Sequence, residues 1–166
     1  NYGKKFYGPT TLRKGIEYSR NLMTIRIAKV LGLERILELS KKLNIYDEIP
    51  ELMSVSLGAA ETTLLNLTSA YASFVNGGKK IEPNLISRIQ DRRGNTIFKV
   101  ENRKCIGCDK FINKSEIKFP IIENSNERVI SEETAYQITA ILSGAVERGT
   151  AKKLKSLKVP LAGKTG

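Results

Sequence analysis

The sequence predicts an α+β fold in which helices dominate. Two observations carry that expectation. Apolar residues recur at helical spacing in several stretches with start and stop signals, and one pair of short β-type runs, set around a turn, stands between them. The length of 166 residues suits one domain, on a usual size of about 100–200 residues.

The first helical stretch is Thr11 to Leu31. Leu12, Ile16, Met23, Ile27 and Leu31 recur along it, and Thr10 or Thr11 offers an N-cap. Gly32 ends it. Glu34 to Leu43 reads as a second helix, with Pro50 closing the loop behind it. Thr62 to Val75 is a third, carrying Leu64, Leu65, Leu67, Thr68, Tyr71 and Ala72 as a broad apolar band. "NGG" at Asn76–Gly78 is its stop, because Asn and Gly tolerate the left-handed conformation that ends helices. "NLISRIQ" and "NTIFKV" flank "DRRG" and predict a hairpin. Glu101 to Arg128 is polar and irregular and reads as a long surface loop or small excursion. Ser131 to Glu147 predicts a strong helix. Ser131 is its N-cap, Glu132 and Glu133 suit its positive end, and Ala135, Ile138, Ile141, Leu142 and Ala145 form its buried stripe. A basic loop then leads to the start of a strand at Lys158. The expected organisation is a single domain with a helical part at 1–80, a hairpin and insert at 81–128, and a helix leading into a final strand at 129–166.

With 40% apolar residues the chain can build a core. No run approaches the roughly 20 apolar residues of a spanning helix, and no signal peptide is visible. The first residue is Asn and the last is a Gly inside a motif-like string, so the sequence reads as a piece of something longer. The net charge of +11 suits a polyanion, and a basic non-enzymatic module that binds nucleic acid is the rival reading. Most of the charge is interspersed with acids, however. Only Ala151 to Gly166 is purely basic, and Trp is absent, so no base-stacking platform is evident and nucleic acid is not the expected partner.

There is no histidine. That excludes a Ser-His-Asp triad, a Cys-His pair and any His metal ligand within the chain. Acid–base work falls to Lys, Ser, Tyr or carboxylates. Cys105 and Cys108 form "CIGC", half of a structural zinc set; a local disulfide or two inert thiols is the favoured reading. No metal site and no cofactor are expected.

The closing string "PLAGKTG" supplies the last letters of a phosphate loop. The spacing fails, because Lys158 stands where the first glycine of G-x-x-x-x-G-K-[ST] belongs. Ser-Lys chemistry is the remaining option. The chain has one S-x-x-K string, Ser115 to Lys118, in the irregular stretch just before Pro120. No helical pattern there would hold the lysine against the serine, so the string reads as a decoy. "YSRN" is more informative. On one continuous helix Ser19 and Asn21 lie about 200° apart, with Ser19 on the apolar stripe and bonded back to a backbone carbonyl. On a broken helix both turn toward one cleft. By pattern alone the continuous helix is the stronger reading.

S-x-N at Ser19–Asn21 followed by K-T-G at Lys164–Gly166 is a motif pair of the penicillin-recognising serine acyltransferases. The flanking strings are more specific. "GPTTLRKGIEYSRNLMTIRIA" resembles the S-x-N segment of class A penicillin-binding proteins. "LGAAETTLLNLTSAYASFVNGGKKIEPNLI" resembles their next helix and hairpin, and "VERGTAKKLKSLKVPLAGKTG" is similar to their approach to K-T-G. The resemblance covers most of the chain, apart from a variable insert at Cys105 to Asn126.

The resemblance implies part of a D,D-transpeptidase domain of β-lactamase-like fold, lacking most of the central sheet. It implies a parent peptidoglycan synthase that cross-links D-alanyl-D-alanine stem peptides through an acyl-serine intermediate and binds β-lactams. That parent would sit on the outer, periplasmic face of a bacterial cytoplasmic membrane, anchored by a segment outside this chain. Ser19 would relay a proton between the catalytic lysine and the leaving amine. Asn21 would hydrogen-bond the donor's peptide backbone. Lys164 would supply positive potential, and Thr165 would bind a carboxylate. Gly166 would let substrate approach the strand edge. The family's nucleophilic S-x-x-K precedes S-x-N, so these residues alone are expected to be inactive. Apolar helical surface left uncovered is expected to make them self-associate.

Overall fold

The computed structural model describes residues 5–100, 105–106, 121–122 and 126–165. These fall into two compact units, one formed by residues 1–81 and 128–166 and the other by Glu82–Glu127. Helices dominate, and the only strands among the described residues make two small antiparallel pairs. This is the predominantly helical α+β architecture expected from the sequence.

In the helical unit, the first predicted helix is two helices. α1 spans Leu12–Glu17 and α2 spans Asn21–Leu31, with Tyr18, Ser19 and Arg20 as the break. Thr11 caps α1 by accepting the Lys14 amide. At the break, Ser19 takes φ +53°, a left-handed conformation that no residue inside an α-helix adopts. The continuous helix is therefore corrected. Ser19 is half-buried rather than buried in an apolar stripe, and no back-bond of its hydroxyl to a carbonyl is present. Leu12 and Leu31 lie half-exposed as well, because the break ends the common face. α1 and α2 still pack on each other: Gly15 is buried, and a side chain there would occupy the place of the Met23 thioether.

α3 covers Leu33–Lys42 and packs on α2. A 3-10 turn, Met53–Leu57, which the sequence pattern did not suggest, buries Val55 against this pair and ends at Gly58 in the left-handed conformation. α4 spans Leu64–Val75 and is capped by Thr63, whose hydroxyl accepts the Asn66 amide. Its buried residues are small, Ala70 and Ser73. Leu64 and Leu65 of the expected band face outward, Leu64 at 83% exposure.

The helix stop at 76–78 has a second use. Gly77 and Gly78 are left-handed, and a Cβ on Gly78 would collide with the Ile130 carbonyl. The Gly78 carbonyl accepts both the Val129 and Ile130 amides, and Lys79 bridges Arg128 in antiparallel fashion. Arg128 donates to the Gly77 carbonyl at 2.6 Å. This seam delivers the chain into α5, Glu132–Glu147, whose cap Ser131 accepts the Thr134 amide.

α5 is the core of this unit and packs on α1, α4 and the 3-10 segment Lys152–Leu157 that follows it. Ala135 and Ala145 are fully buried, and Ile141, Leu142 and Val146 nearly so. Ile138 is half-buried. No strand begins at Lys158. That residue is left-handed at φ +54°, and residues 159–165 pair with no strand among the described residues. A strand needs a neighbour for its backbone groups. Here the segment is tied instead to α5, through the Gly163 amide on the Leu142 carbonyl.

In the second unit, β1 (Arg88–Gln90) pairs with β2 (Thr96–Lys99). The Asp91 carboxylate organises the turn by accepting the Arg93 and Asn95 amides and the Asn95 side chain, and those bonds hold its pKa below the ordinary aspartate value. β3 (Cys105–Ile106) pairs with β4 (Ile121–Ile122) inside the stretch expected to be irregular. Cys105 is disulfide-bonded. Cys108 and the S-x-x-K string Ser115–Lys118 lie outside the described residues.

The packing of α1 on α5 leaves no room at Gly144, where a Cβ would run into the Glu17 carboxylate and the Arg148 guanidinium. Gly144→Ala therefore destabilises by about 1–3 kcal/mol through overpacking, although alanine favours an isolated helix by about 1 kcal/mol. Urea unfolding of the two forms checks this; an equally or more stable variant would contradict the packing.

Candidate functional site

The site is assembled from two turns and the closing segment. The first turn, 18–20, exists because α1 cannot continue. Gly15 accepts the Arg20 amide at its carbonyl, Ile16 accepts that of Ser19, and the Arg20 carbonyl then restarts the helix by accepting the Met23 and Thr24 amides. Arg20 packs its guanidinium 3.4 Å from the Tyr7 ring centre and 5.7 Å from that of Tyr18, an attraction of cation for ring face. Ser19 is left at the apex in a conformation that costs a non-glycine residue roughly 1–3 kcal/mol. Such strain persists only where the surroundings impose it.

The surroundings are Glu17 and the second turn, 148–150. Glu17 is 1% exposed. Arg148, the C-cap of α5, donates to its carboxylate twice, from Nε at 3.0 Å and Nη2 at 2.6 Å. Arg13 approaches the same carboxylate at 3.9 Å, and Glu147 accepts from Arg148 Nη1 at 3.1 Å. Hydrogen bonding to Glu17 holds the guanidinium pKa above its ordinary value against partial desolvation. One turn on, the Thr150 amide donates to the Glu17 carbonyl at 3.1 Å. Gly149 allows this approach, since a Cβ there would strike that carbonyl.

Across this frame, Lys164 Nζ donates to Ser19 Oγ at 2.6 Å, although the two residues are 145 positions apart. The same ammonium donates to the Thr165 carbonyl at 2.7 Å. The Thr165 hydroxyl lies 2.7 Å from that of Thr150. Of the residues singled out in the sequence, Ser19, Lys164 and Thr165 thus share one cluster. Asn21 opens α2 two residues from Ser19 and is exposed, while the Lys164 ammonium donates to Ser19 and the Thr165 carbonyl. Gly166 lies outside the described residues. Glu17, Arg148, Gly149 and Thr150 were not singled out. Gly144 and Gly149 were the available signal, since the first leaves room for the Glu17 and Arg148 side chains and the second for the Glu17 carbonyl.

Chemically, the cluster places a hydroxyl able to donate and accept beside a fixed cation, with a second hydroxyl next to it. That combination suits proton relay and carboxylate binding. Among the described residues no group of His, Cys, Asp or Glu is arranged to hold a metal ion, and no helix is long and apolar enough to cross a membrane.

The model of the penicillin binding protein transpeptidase domain matches residues 1–166. The chain is similar to penicillin-binding protein 1A of Rickettsia conorii, at 42% identity over all of this chain and 21% of that protein. It is similar to that of Pseudomonas aeruginosa at 31% identity, over 97% of this chain and 23% of the relative. It therefore spans about a fifth of the length of the curated relatives it matches. A crystal structure of penicillin-binding protein 1A from Haemophilus influenzae superposes with TM-score 0.75 and 32% identity, over 94% of this chain and 26% of that one. The D,D-transpeptidase domain of a peptidoglycan glycosyltransferase from Eggerthella lenta shares the fold, with TM-score 0.72 at 17% identity over 100% of this chain and 43% of its own.

Lys164 is exposed as a residue, yet desolvation around its ammonium lowers its pKa below the ordinary lysine value. The folded state therefore holds this proton less tightly than the unfolded chain does. The residue's contribution to stability rises as pH climbs from its folded pKa toward the unfolded value of about 10.4. A side-chain NMR titration of Lys164 is expected to fall below the ordinary lysine value; a midpoint at or above that value would contradict the site.

Proposed function

The chain belongs to the penicillin-binding transpeptidase family, and from that premise we propose that it forms the S-x-N and K-T-G side of an acyl-transfer site. The reaction is cross-linking of peptidoglycan stem peptides ending in D-alanyl-D-alanine, through an acyl-serine intermediate that β-lactams also form. The observation that carries this reading is the 2.6 Å contact between Lys164 Nζ and Ser19 Oγ. It joins the two motifs across the length of the chain.

In this reading the nucleophilic serine and its S-x-x-K lysine come from sequence outside residues 1–166. Ser19 passes a proton between that lysine and the departing amine. Its hydroxyl accepts from Lys164 and so keeps its own proton free to donate onward. Lys164 cannot act as a strong base while charged; its part is to draw a carboxylate into the cleft and to orient Ser19. Thr165 donates to that carboxylate, with Thr150 supplying a replacement hydrogen bond. Asn21 binds the donor's backbone, and Gly166 leaves the approach open at the edge. The parent protein works outside the cytoplasmic membrane, where peptidoglycan is built.

Loss of a positioned proton relay costs about 10²–10⁴ in rate. In the full-length protein, Ser19→Ala is expected to lower the second-order rate of β-lactam acylation by about 10²-fold or more, and Lys164→Ala to weaken carboxylate-bearing substrates most. Unchanged acylation in both variants would refute the reading. The 166-residue chain taken alone is expected to take no label from a fluorescent penicillin; mass-spectrometric detection of an adduct on Ser115 would overturn that.

We further propose that this chain in isolation self-associates. Leu64, Leu65 and Val75 leave α4 with an exposed apolar side, Val75 at 76% exposure. Analytical ultracentrifugation is expected to show concentration-dependent association, and a clean monomer at high concentration would contradict it.

A further inference from the structure

We propose that Glu17 and Arg148 form a positioning pair that sets where Ser19 stands relative to Lys164. The inference rests on the acyl-transfer reading above and adds to it two residues that touch no reacting atom.

The connections close on themselves. Glu17 is two residues from Ser19. Ser19 accepts from Lys164. Thr165, next in the chain, meets the Thr150 hydroxyl, and the Thr150 amide returns to the Glu17 carbonyl. Arg148 braces this circuit from within, by two hydrogen bonds to the Glu17 carboxylate. A circuit of short links has few ways to relax, so displacing Glu17 displaces Ser19 Oγ against Lys164 Nζ.

The choice of residues supports positioning over mere cohesion. Glu17 is buried while Arg148 stays half-exposed, and the desolvation cost of the carboxylate keeps such a pair from adding much net stability. The guanidinium fork admits one orientation of the carboxylate, which is a geometric constraint. Gly144 and Gly149 are the two positions where any side chain would break the fit, and both abut Glu17. The strained φ of Ser19 needs such an outside constraint to persist.

The test compares Glu17→Gln, Arg148→Lys and Arg148→Ala in the full-length protein, with thermal unfolding to establish the folded fraction. Two readouts follow: the second-order rate of β-lactam acylation per folded molecule, and the NMR titration of Lys164. Small misplacements of a reacting group cost up to about 10²-fold. Glu17→Gln and Arg148→Ala are expected to slow acylation by about 10- to 100-fold and to move the Lys164 titration up toward ordinary lysine. Arg148→Lys keeps the charge and loses the fork; it is expected to recover the melting temperature more fully than the acylation rate. If Arg148→Ala does not fold, Arg148→Lys and Glu17→Gln carry the comparison.

Folded variants with wild-type acylation and an unmoved Lys164 overturn the inference, and so does a loss of acylation that only tracks the unfolded fraction. Ser19→Ala and Lys164→Ala serve as controls. Should they acylate normally, the acyl-transfer reading fails, while the Lys164 titration in the Glu17 and Arg148 variants still decides whether the pair holds the contact.

Discussion

A carboxylate taken out of water must find a cation with matching geometry, and Glu17 finds one in Arg148. The junction of α1, α5 and the closing segment is built around that requirement. α1 must end where its last residue meets the end of α5, so the chain breaks at Tyr18 instead of continuing into α2. α5 must carry a glycine opposite the carboxylate, and the turn after it must carry another. Because Arg148 is a helix cap, its side chain leaves from a fixed point, and the closing segment is then hung on the next residues through Thr150. The polar cluster is a consequence of how two helix ends are joined.

The helices themselves were legible in the sequence because their signals are local. Thr11 and Ser131 cap in the way their hydroxyls allow, and Ala135, Ile141, Leu142 and Ala145 of the α5 stripe are buried, while Ile138 is only half-buried. The hairpin was legible too, because Asp91 and Gly94 suit the turn they form. The break at 18–20 was not. Tyr, Ser and Arg are all acceptable in a helix, and neither Gly nor Pro marks the spot. The residues that brace it are Arg148, 131 positions from Glu17, and the Tyr7 ring against Arg20.

The outward face of α4 teaches the complementary lesson. Periodicity says which residues share a side of a helix, and it is silent on what covers that side. Leu64 and Leu65 were read into one apolar band, yet both stand exposed and the residues α4 buries are Ala70 and Ser73. The cluster was half legible. Ser19, Lys164 and Thr165 stood in motifs, whereas the residues that hold them carry no motif, since their task is steric and depends on neighbours distant in sequence.

The seam at Gly78 and Arg128 bears on how such a chain can change over time. Residues 82–127 leave and return between Lys79 and Arg128, which pair with each other. Once the ends are joined, the entropic cost of a longer excursion grows only logarithmically, by about 0.6 kcal/mol for each doubling. Length changes in residues 82–127 therefore cost little loop-closure entropy, because the Lys79–Arg128 pairing already holds their ends together.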